Sequence, residues 1–236
     1  MIRTTLALFL ALGTSVQACE DVTHREARFT VCEVDPTHRV ALFLRDETGQ
    51  VLGSFARLRD EANGKVVMAM NAGMYHQDRA PVGLYVERGT EERRIVTRDG
   101  PGNFGLLPNG VFCIRETRID VIETRRFAAN PPACTYATQS GTPMVIDGAL
   151  HPRFLPESRF RNIRNGVGTS ADGQRVVFAI SNTQVTFHEF ATLFRDVLDL
   201  PNALYFDGRI SRLYAPEIGR NDAGLPLGPI VAVIAE

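Results

Sequence analysis

The chain has 236 residues, 44% hydrophobic and 22% charged, proportions ordinary for a globular protein. A formal net charge of -1 excludes the broad basic footprint of a nucleic-acid partner. Lys65 is the only lysine among 26 basic residues, so an anion held by a side chain would meet a guanidinium, able to bond it through two N–H groups.

Residues 1–18 begin with Arg3 in a positive segment, continue through the apolar run Leu6 to Leu12 and end in Val16-Gln17-Ala18, a small-residue cleavage site. This is the pattern of a secretory signal peptide, too short to span a bilayer. Residues 19–236 are then expected to form one domain with no membrane span, located in the periplasm or secreted. A lipid on Cys19 is less favoured, because Gln17 stands where such processing wants a small or apolar residue. The four cysteines, Cys19, Cys32, Cys113 and Cys134, are an even set in an exported chain, which favours disulfides. Three pairings are open; Cys19–Cys32 with Cys113–Cys134 is preferred because each pair is close in sequence.

Phe29–Val34 and Val40–Leu44 read as strands joined by the turn Asp35-Pro36-Thr37. Ser54 to Glu61 reads as a short helix with Ser54 as N-cap, ended by Gly64. Lys65–Met70 is a buried strand running into Asn71-Ala72-Gly73, and Val82–Val86 with Arg93–Val96 makes a hairpin with Arg88-Gly89-Thr90 near its tip. Gly100 to Gly105 matches G-x-G-x-x-G, but Leu107-Pro108-Asn109-Gly110 follows and cannot open the helix that a dinucleotide site needs. Val111–Ile114 and Arg118–Ile122 form a second hairpin, Thr135–Gln139 and Met144–Ile146 further strands, and Asp147-Gly148 a turn. After the irregular stretch His151–Arg164, strands are expected at Asn165–Thr169 and Arg175–Ile180. The one strong helix runs from about Thr186 to Leu198, with Phe187, Phe190, Ala191, Phe194, Val197 and Leu198 on one face and Pro201 as its stop. The class that follows is α+β: a mixed, largely antiparallel sheet covered by one long helix and one or two short ones. The step from the long helix into Ala203–Phe206 resembles half of a β-α-β unit, so part of the sheet is expected to be parallel.

No nucleophile elbow and no H-E-x-x-H zinc motif occurs, and the five histidines are scattered singly, so no cofactor and no metal centre are expected. What the chain offers instead is polar residues where apolar strands meet glycine-rich loops: Asn71, Asp78, Asn103, Asn109, Ser140, Arg161, Arg164, Asn165, Asp207 and Ser211. Asp207 ends an apolar run, where a carboxylate must be paired or face a wet cleft. Arg164 precedes a strand, a position that could leave its guanidinium in a cleft and ready for a phosphate or carboxylate. Glu189 closes Thr186-x-x-Glu189, a capping box, with direct catalysis as its other reading.

Asn71-Ala72-Gly73-Met74-Tyr75, Gly102-Asn103-Phe104, Pro108 to Phe112, Gln139-Ser140-Gly141, Arg164 to Gly168 and Leu204 to Gly208 together resemble the phosphodiester glycosidase family, in the same order. That family includes an N-acetylglucosamine-1-phosphodiester α-N-acetylglucosaminidase and bacterial exported proteins linked to exopolysaccharides. The resemblance implies hydrolysis of a glycosyl-1-phosphodiester and a glycan or sugar-phosphate as the substrate partner. It would give the catalytic roles to Asp207 and Arg164, with Glu189 as a reserve acid or base. Asn71, Asp78, Asn103, Asn109, Ser140, Gly141, Asn165, Gly208 and Ser211 would bind substrate or shape its loops. Two departures stand out: Ala72 where the family usually has glycine, and Arg209-Ile210 in place of two glycines after Asp207-Gly208. The second departure keeps open a non-catalytic glycan- or envelope-binding protein on the same fold. Cleavage at phosphorus would normally use clustered metal-ligating carboxylates and histidines, which the sequence does not show.

Overall fold

The computed structural model describes residues 19–35, 37–100 and 102–235, so the expected signal peptide lies outside the described residues. The chain opens with β1 (Cys19–His24), β2 (Ala27–Glu33), β3 (Arg39–Phe43), α1 (Phe55–Glu61), β4 (Lys65–Asn71), β5 (Tyr85–Glu87) and β6 (Thr90–Arg93). It continues through β7 (Gly110–Ile114), β8 (Ile119–Glu123), α2 (Thr124–Ala129), β9 (Tyr136–Ser140), β10 (Pro143–Ile146) and β11 (Ala149–Leu150). The last part holds β12 (Asn165–Thr169), β13 (Val176–Ser181), α3 (Phe187–Thr192), β14 (Asn202–Asp207), β15 (Leu213–Ala215), β16 (Arg220–Asn221) and β17 (Ile230–Ala235).

These strands form a seven-stranded sheet ordered β1-β2-β13-β12-β14-β10-β11, a five-stranded sheet β16-β15-β4-β17-β3 and another five-stranded sheet β6-β5-β9-β7-β8. The α+β class holds. Neighbouring strands pair antiparallel throughout the described residues. The expected parallel portion therefore takes another form. β13 and β14, joined through α3, run in the same direction, but β12 lies between them and pairs antiparallel with both.

The seven-stranded sheet is the middle layer because its central strands are apolar on both faces. In β13, Val177 and Ala179 pack toward α3, while Val176, Phe178 and Ile180 pack away from it. In β14, Ala203 and Tyr205 take the helix side and Leu204 and Phe206 the other, the period of two that a strand imposes. On the helix side Phe190 stacks with Phe29 at 6.1 Å between ring centroids. On the far side the Phe112 ring of β7 meets Phe178 at 5.8 Å and Phe206 at 6.0 Å, edge to face. Burying each such ring contributes about 1.5–3 kcal/mol.

The helix α3 starts as expected. Thr186 Oγ1 accepts the Glu189 N–H and Glu189 returns a bond to the Thr186 N–H. Beyond Thr192 the helix widens into a π turn over Leu193–Val197, with Leu198 N–H donating to Leu193 O at 3.0 Å. Ser54 caps α1 by accepting from Arg57 N–H. The turn Asp35-Pro36-Thr37 does not join a paired hairpin: β2 and β3 lie in separate sheets. The polar strand β1 escapes the sequence pattern because its pairing supplies the order: Cys19 lies opposite Cys32 in the β1–β2 register, and the two are bonded. Cys113 and Cys134 form the other disulfide, so all four cysteines are paired as preferred.

Candidate active site

β12 and β14 reach the same edge of the central sheet, where Asn165 is paired with Asp207. Asp207 is half-buried, and its carboxylate organises the turn that follows. Oδ1 accepts the backbone N–H groups of Gly208 at 2.6 Å, Arg209 at 2.6 Å and Ile210 at 3.3 Å. No described residue donates to Oδ2. Ser211 Oγ lies 2.9 Å from the Asp207 carbonyl oxygen and 2.9 Å from that of Ile163, which ties the turn to the entry of β12.

Arg164 stands one residue before β12 and is 1% exposed. Its Nε donates to the Val185 carbonyl at 3.0 Å and its Nη2 to the Phe160 carbonyl at 3.2 Å. The guanidinium lies 3.7 Å above the Phe187 ring, a cation–π contact. Nη1 is buried and meets the geometry of a hydrogen bond to no described residue, although the Tyr205 hydroxyl lies close enough to interact with the guanidinium. Burial pulls the Arg164 pKa below its ordinary value, an effect that the neighbouring Tyr205 partly offsets. The expectation of an open cleft is corrected here: α3 places Phe187 under the side chain, and Tyr205 and Gly208 close over it. A β carbon on Gly208 would stand 2.3 Å from the Tyr205 hydroxyl and 3.4 Å from Arg164 Nη1, so only glycine fits between them.

Tyr205 is absent from the residues read as functional in the sequence. It is 1% exposed, and burial raises the pKa of its hydroxyl; Arg164 opposes that rise, Asp207 reinforces it and Asn103 opposes it by hydrogen bonding. A phenol inside the run Ala203–Phe206 is the signal that could have found it, since a buried tyrosine hydroxyl needs a polar partner. Gly141 gives the ring its room, because a β carbon there would come 3.1 Å from Tyr205 Cδ1.

The asparagines divide. Asn71 and Asn165 are fully buried and bond to one another: Asn165 Nδ2 donates to Asn71 O at 2.8 Å and Asn71 Nδ2 to Asn165 Oδ1 at 3.2 Å. Asn71 Oδ1 also accepts the Arg212 N–H at 2.9 Å. The pair thus pins β4 and the Asp207 turn to β12. Asn109 is buried too, donating to Phe104 O at 3.0 Å and accepting from Gln139 Nε2 at 3.2 Å. Gln139 further receives the N–H groups of Leu84 and Val96, which fixes the loop carrying Asn103. Ser140 Oγ donates to Phe206 O at 2.9 Å, beside Asp207. Asn103 is the exposed member, on the Tyr205 side of the turn.

Two predicted residues stay apart from this cluster. Asp78 is exposed and caps its own turn through the Ala80 N–H at 3.0 Å. Glu189 bonds the Thr186 N–H at 2.8 Å and pairs with Arg161 at 2.9 Å. Burial works to raise its pKa, but the Thr186 N–H and Arg161 outweigh it and hold the carboxyl below its usual range. That is the capping reading, with no described contact to Asp207. A cleft of about 890 Å³ lies elsewhere, lined by Glu33, His38, Lys65, Arg175 and Glu217 among others, and holds none of the predicted site residues.

Beneath Arg164 runs an aromatic stack: Phe187 on Phe154 at 4.8 Å and Phe154 against His151 at 5.0 Å. His151 is 2% exposed, its Nδ1 accepts the Arg153 N–H and its Nε2 has no partner among the described residues. Burial, helped by Arg153, lowers its pKa. The unfolded chain then takes up the proton first, so this histidine's contribution is lost as pH falls below about 6.5, the ordinary histidine value. A His151→Phe variant keeps the stack and removes the titration. Urea midpoints at pH 7.5 and 5 should therefore differ less in the variant than in the parent; an equal difference would refute this assignment.

The profile of the phosphodiester glycosidase family matches residues 64–223, which contain every residue of the cluster just described. The chain belongs to the phosphodiester glycosidase family. YigE of Escherichia coli (strain K12), itself uncharacterised, is 33% identical over 213 residues, covering 89% of this chain and 82% of its own. The solved catalytic domain of the zebrafish N-acetylglucosamine-1-phosphodiester α-N-acetylglucosaminidase, auto-inhibited by its pro-peptide, superposes with a TM-score of 0.60 at 13% identity. That match covers 92% of this chain and 81% of the zebrafish chain. A Burkholderia pseudomallei K96243 protein described as exported gives a TM-score of 0.61 at 10% identity, over 88% of this chain and 74% of its own. At such identities the two structures speak for the fold. β4 to β16 form the phosphodiester glycosidase segment, to which β1–β3 and β17 add outer strands.

Proposed function

We propose that this protein is an exported hydrolase that cleaves the glycosidic C–O bond of a glycosyl-1-phosphodiester, in exopolysaccharide or envelope glycan metabolism. One observation carries the reading. At the joined ends of β12 and β14, the buried Arg164 guanidinium and the Asp207 carboxylate, whose Oδ2 receives no bond from a described residue, both adjoin Tyr205 and the Gly208 turn, with no ion pair between them among the described residues. Arg164 supplies the cation for the phosphate, which meets Nη1 once the Tyr205 hydroxyl and the Gly208 turn part. Asp207 takes a proton from water as its oxygen bonds to the anomeric carbon. The C–O bond breaks, and the phosphate monoester leaves with the bonding electrons. A phosphate monoester is a good leaving group, so the strong second acid of ordinary glycosidases is less necessary. In this reading the exposed Asn103 meets the substrate, whereas Asn71, Asn109, Ser140, Asn165 and Ser211 shape the loops. The two disulfides support an oxidising compartment. No helix among the described residues is long and apolar enough to cross a membrane.

The test is turnover of methyl α-N-acetylglucosaminyl phosphate in ¹⁸O-labelled water. Label on the released sugar and none on methyl phosphate is the expected result; label on phosphorus, or no turnover, would refute the reading. A second reading, a glycan-binding protein without turnover, is favoured by the three N–H groups already held on Asp207 Oδ1 and by Arg209-Ile210 beside it. Calorimetric binding of oligosaccharides with no hydrolysis would select it.

A further inference from the structure

The segment between β11 and β12, residues 151–163, is irregular yet tethered at several points. Phe154 is buried in the stack on Phe187, and His151 N–H donates to Met144 O at 3.1 Å. Asn162 exchanges backbone bonds with Val185 at 3.1 and 2.9 Å. The Phe160 carbonyl accepts Arg164 Nη2. Between these tethers the loop turns apolar side chains to solvent: Leu155 is 66% exposed and Phe160 82%. Isolated exposed apolar residues are ordinary on protein surfaces. Here two share one anchored loop with Arg153 and Arg159, both exposed and neither in an ion pair with a described residue.

We infer that this loop is a binding platform for an anionic glycan chain, so that the substrate is a phosphodiester-linked polymer rather than a small glycoside. The inference rests on the hydrolase reading for the position of the cleaved bond. Phe160 offers an aromatic face to a sugar ring, and Arg153 and Arg159 offer guanidinium forks to neighbouring phosphates. The carbonyl of the same Phe160 holds the guanidinium assigned to the scissile phosphate, so platform and reacting centre are mechanically one piece. The charges would suit an anionic glycan or an anionic membrane alike; the direct bond to the guanidinium of the reacting centre favours the glycan.

The experiment uses the parent protein, Phe160→Ala and Arg159→Ser, none of which alters Arg164 or Asp207. The probes are poly(N-acetylglucosamine 1-phosphate) and its monomeric methyl phosphodiester. Phe160→Ala should weaken polymer binding by about tenfold, the loss expected of one aromatic anchor. Arg159→Ser, at a side chain with no bond to the reacting centre, should weaken polymer binding at low salt and much less at high salt, and leave kcat/KM on the monomer unchanged. Equal losses on polymer and monomer, or none on either, would overturn the platform. So would a parent that ignores the polymer but binds phosphatidylglycerol vesicles through Phe160. If the parent binds the polymer through Phe160 and hydrolyses neither probe, the platform stands and the hydrolase reading fails.

Discussion

An Asp207→Asn variant is expected to lose about 10²- to 10⁴-fold in turnover, the range for removal of a general base, while melting with the parent protein. The two readouts separate because the two carboxylate oxygens do different things. Oδ1 holds three backbone N–H groups and shapes the turn, and an asparagine carbonyl oxygen can accept the same three. Oδ2 receives no bond from a described residue, and only there does the substitution remove an acceptor and the negative charge. Turnover on the methyl phosphodiester together with a thermal melt decides the matter. Undiminished turnover would leave Asp207 as a turn residue and nothing more.

Arg164→Met is expected to lower kcat/KM by about 10²- to 10³-fold, the usual consequence of removing one preorganised donor. It should also leave stability unchanged, or raise it by about 1 kcal/mol, because an apolar side chain of similar volume is often neutral or favourable where a charge was buried. Neither carbonyl that the arginine caps would be stranded. Val185 O still accepts the Asn162 N–H at 3.1 Å, and Phe160 stands 82% exposed to water. A methionine thioether also packs well on the Phe187 ring. A protein that keeps a buried cation with an unpartnered N–H at the cost of stability is expected to use it. A variant that melts much earlier yet turns over normally would reverse that argument and make Arg164 structural.

Much of the fold was legible because local pattern and final environment agree. β13 and β14 are apolar on both faces, and they are covered on both faces. Ser54 and Thr186 cap the helices their spacing announces. The displaced readings are matters of partnership. Nothing within Phe29–Leu44 says that its two strands belong to different sheets, because that depends on β13 and β17, far along the chain. The candidate site divides the same way. Asp207 and Arg164 were singled out from chemistry out of place beside apolar strands, and Asn71 and Asn165 from their places at the ends of strands. Their mutual bond joins residues 94 positions apart, and of the two expected roles, binding substrate or shaping its loops, it accords with the second. Tyr205 was missed because a tyrosine in a strand looks like packing until the guanidinium arrives from another strand.

If Arg164 holds the phosphate as proposed, the cover over its Nη1 also sets how strongly different anions bind. A ligand that reaches this nitrogen must first be offered a form in which Tyr205 and Gly208 have separated, and its apparent affinity is its intrinsic affinity reduced by the population of that form. Inorganic phosphate touches nothing else and bears the whole reduction, so it should be a poor inhibitor. A longer ligand gains contacts outside the cover and can hold the open form in place. Selectivity against the phosphate of the surroundings would then come from a closed door rather than from a better fit.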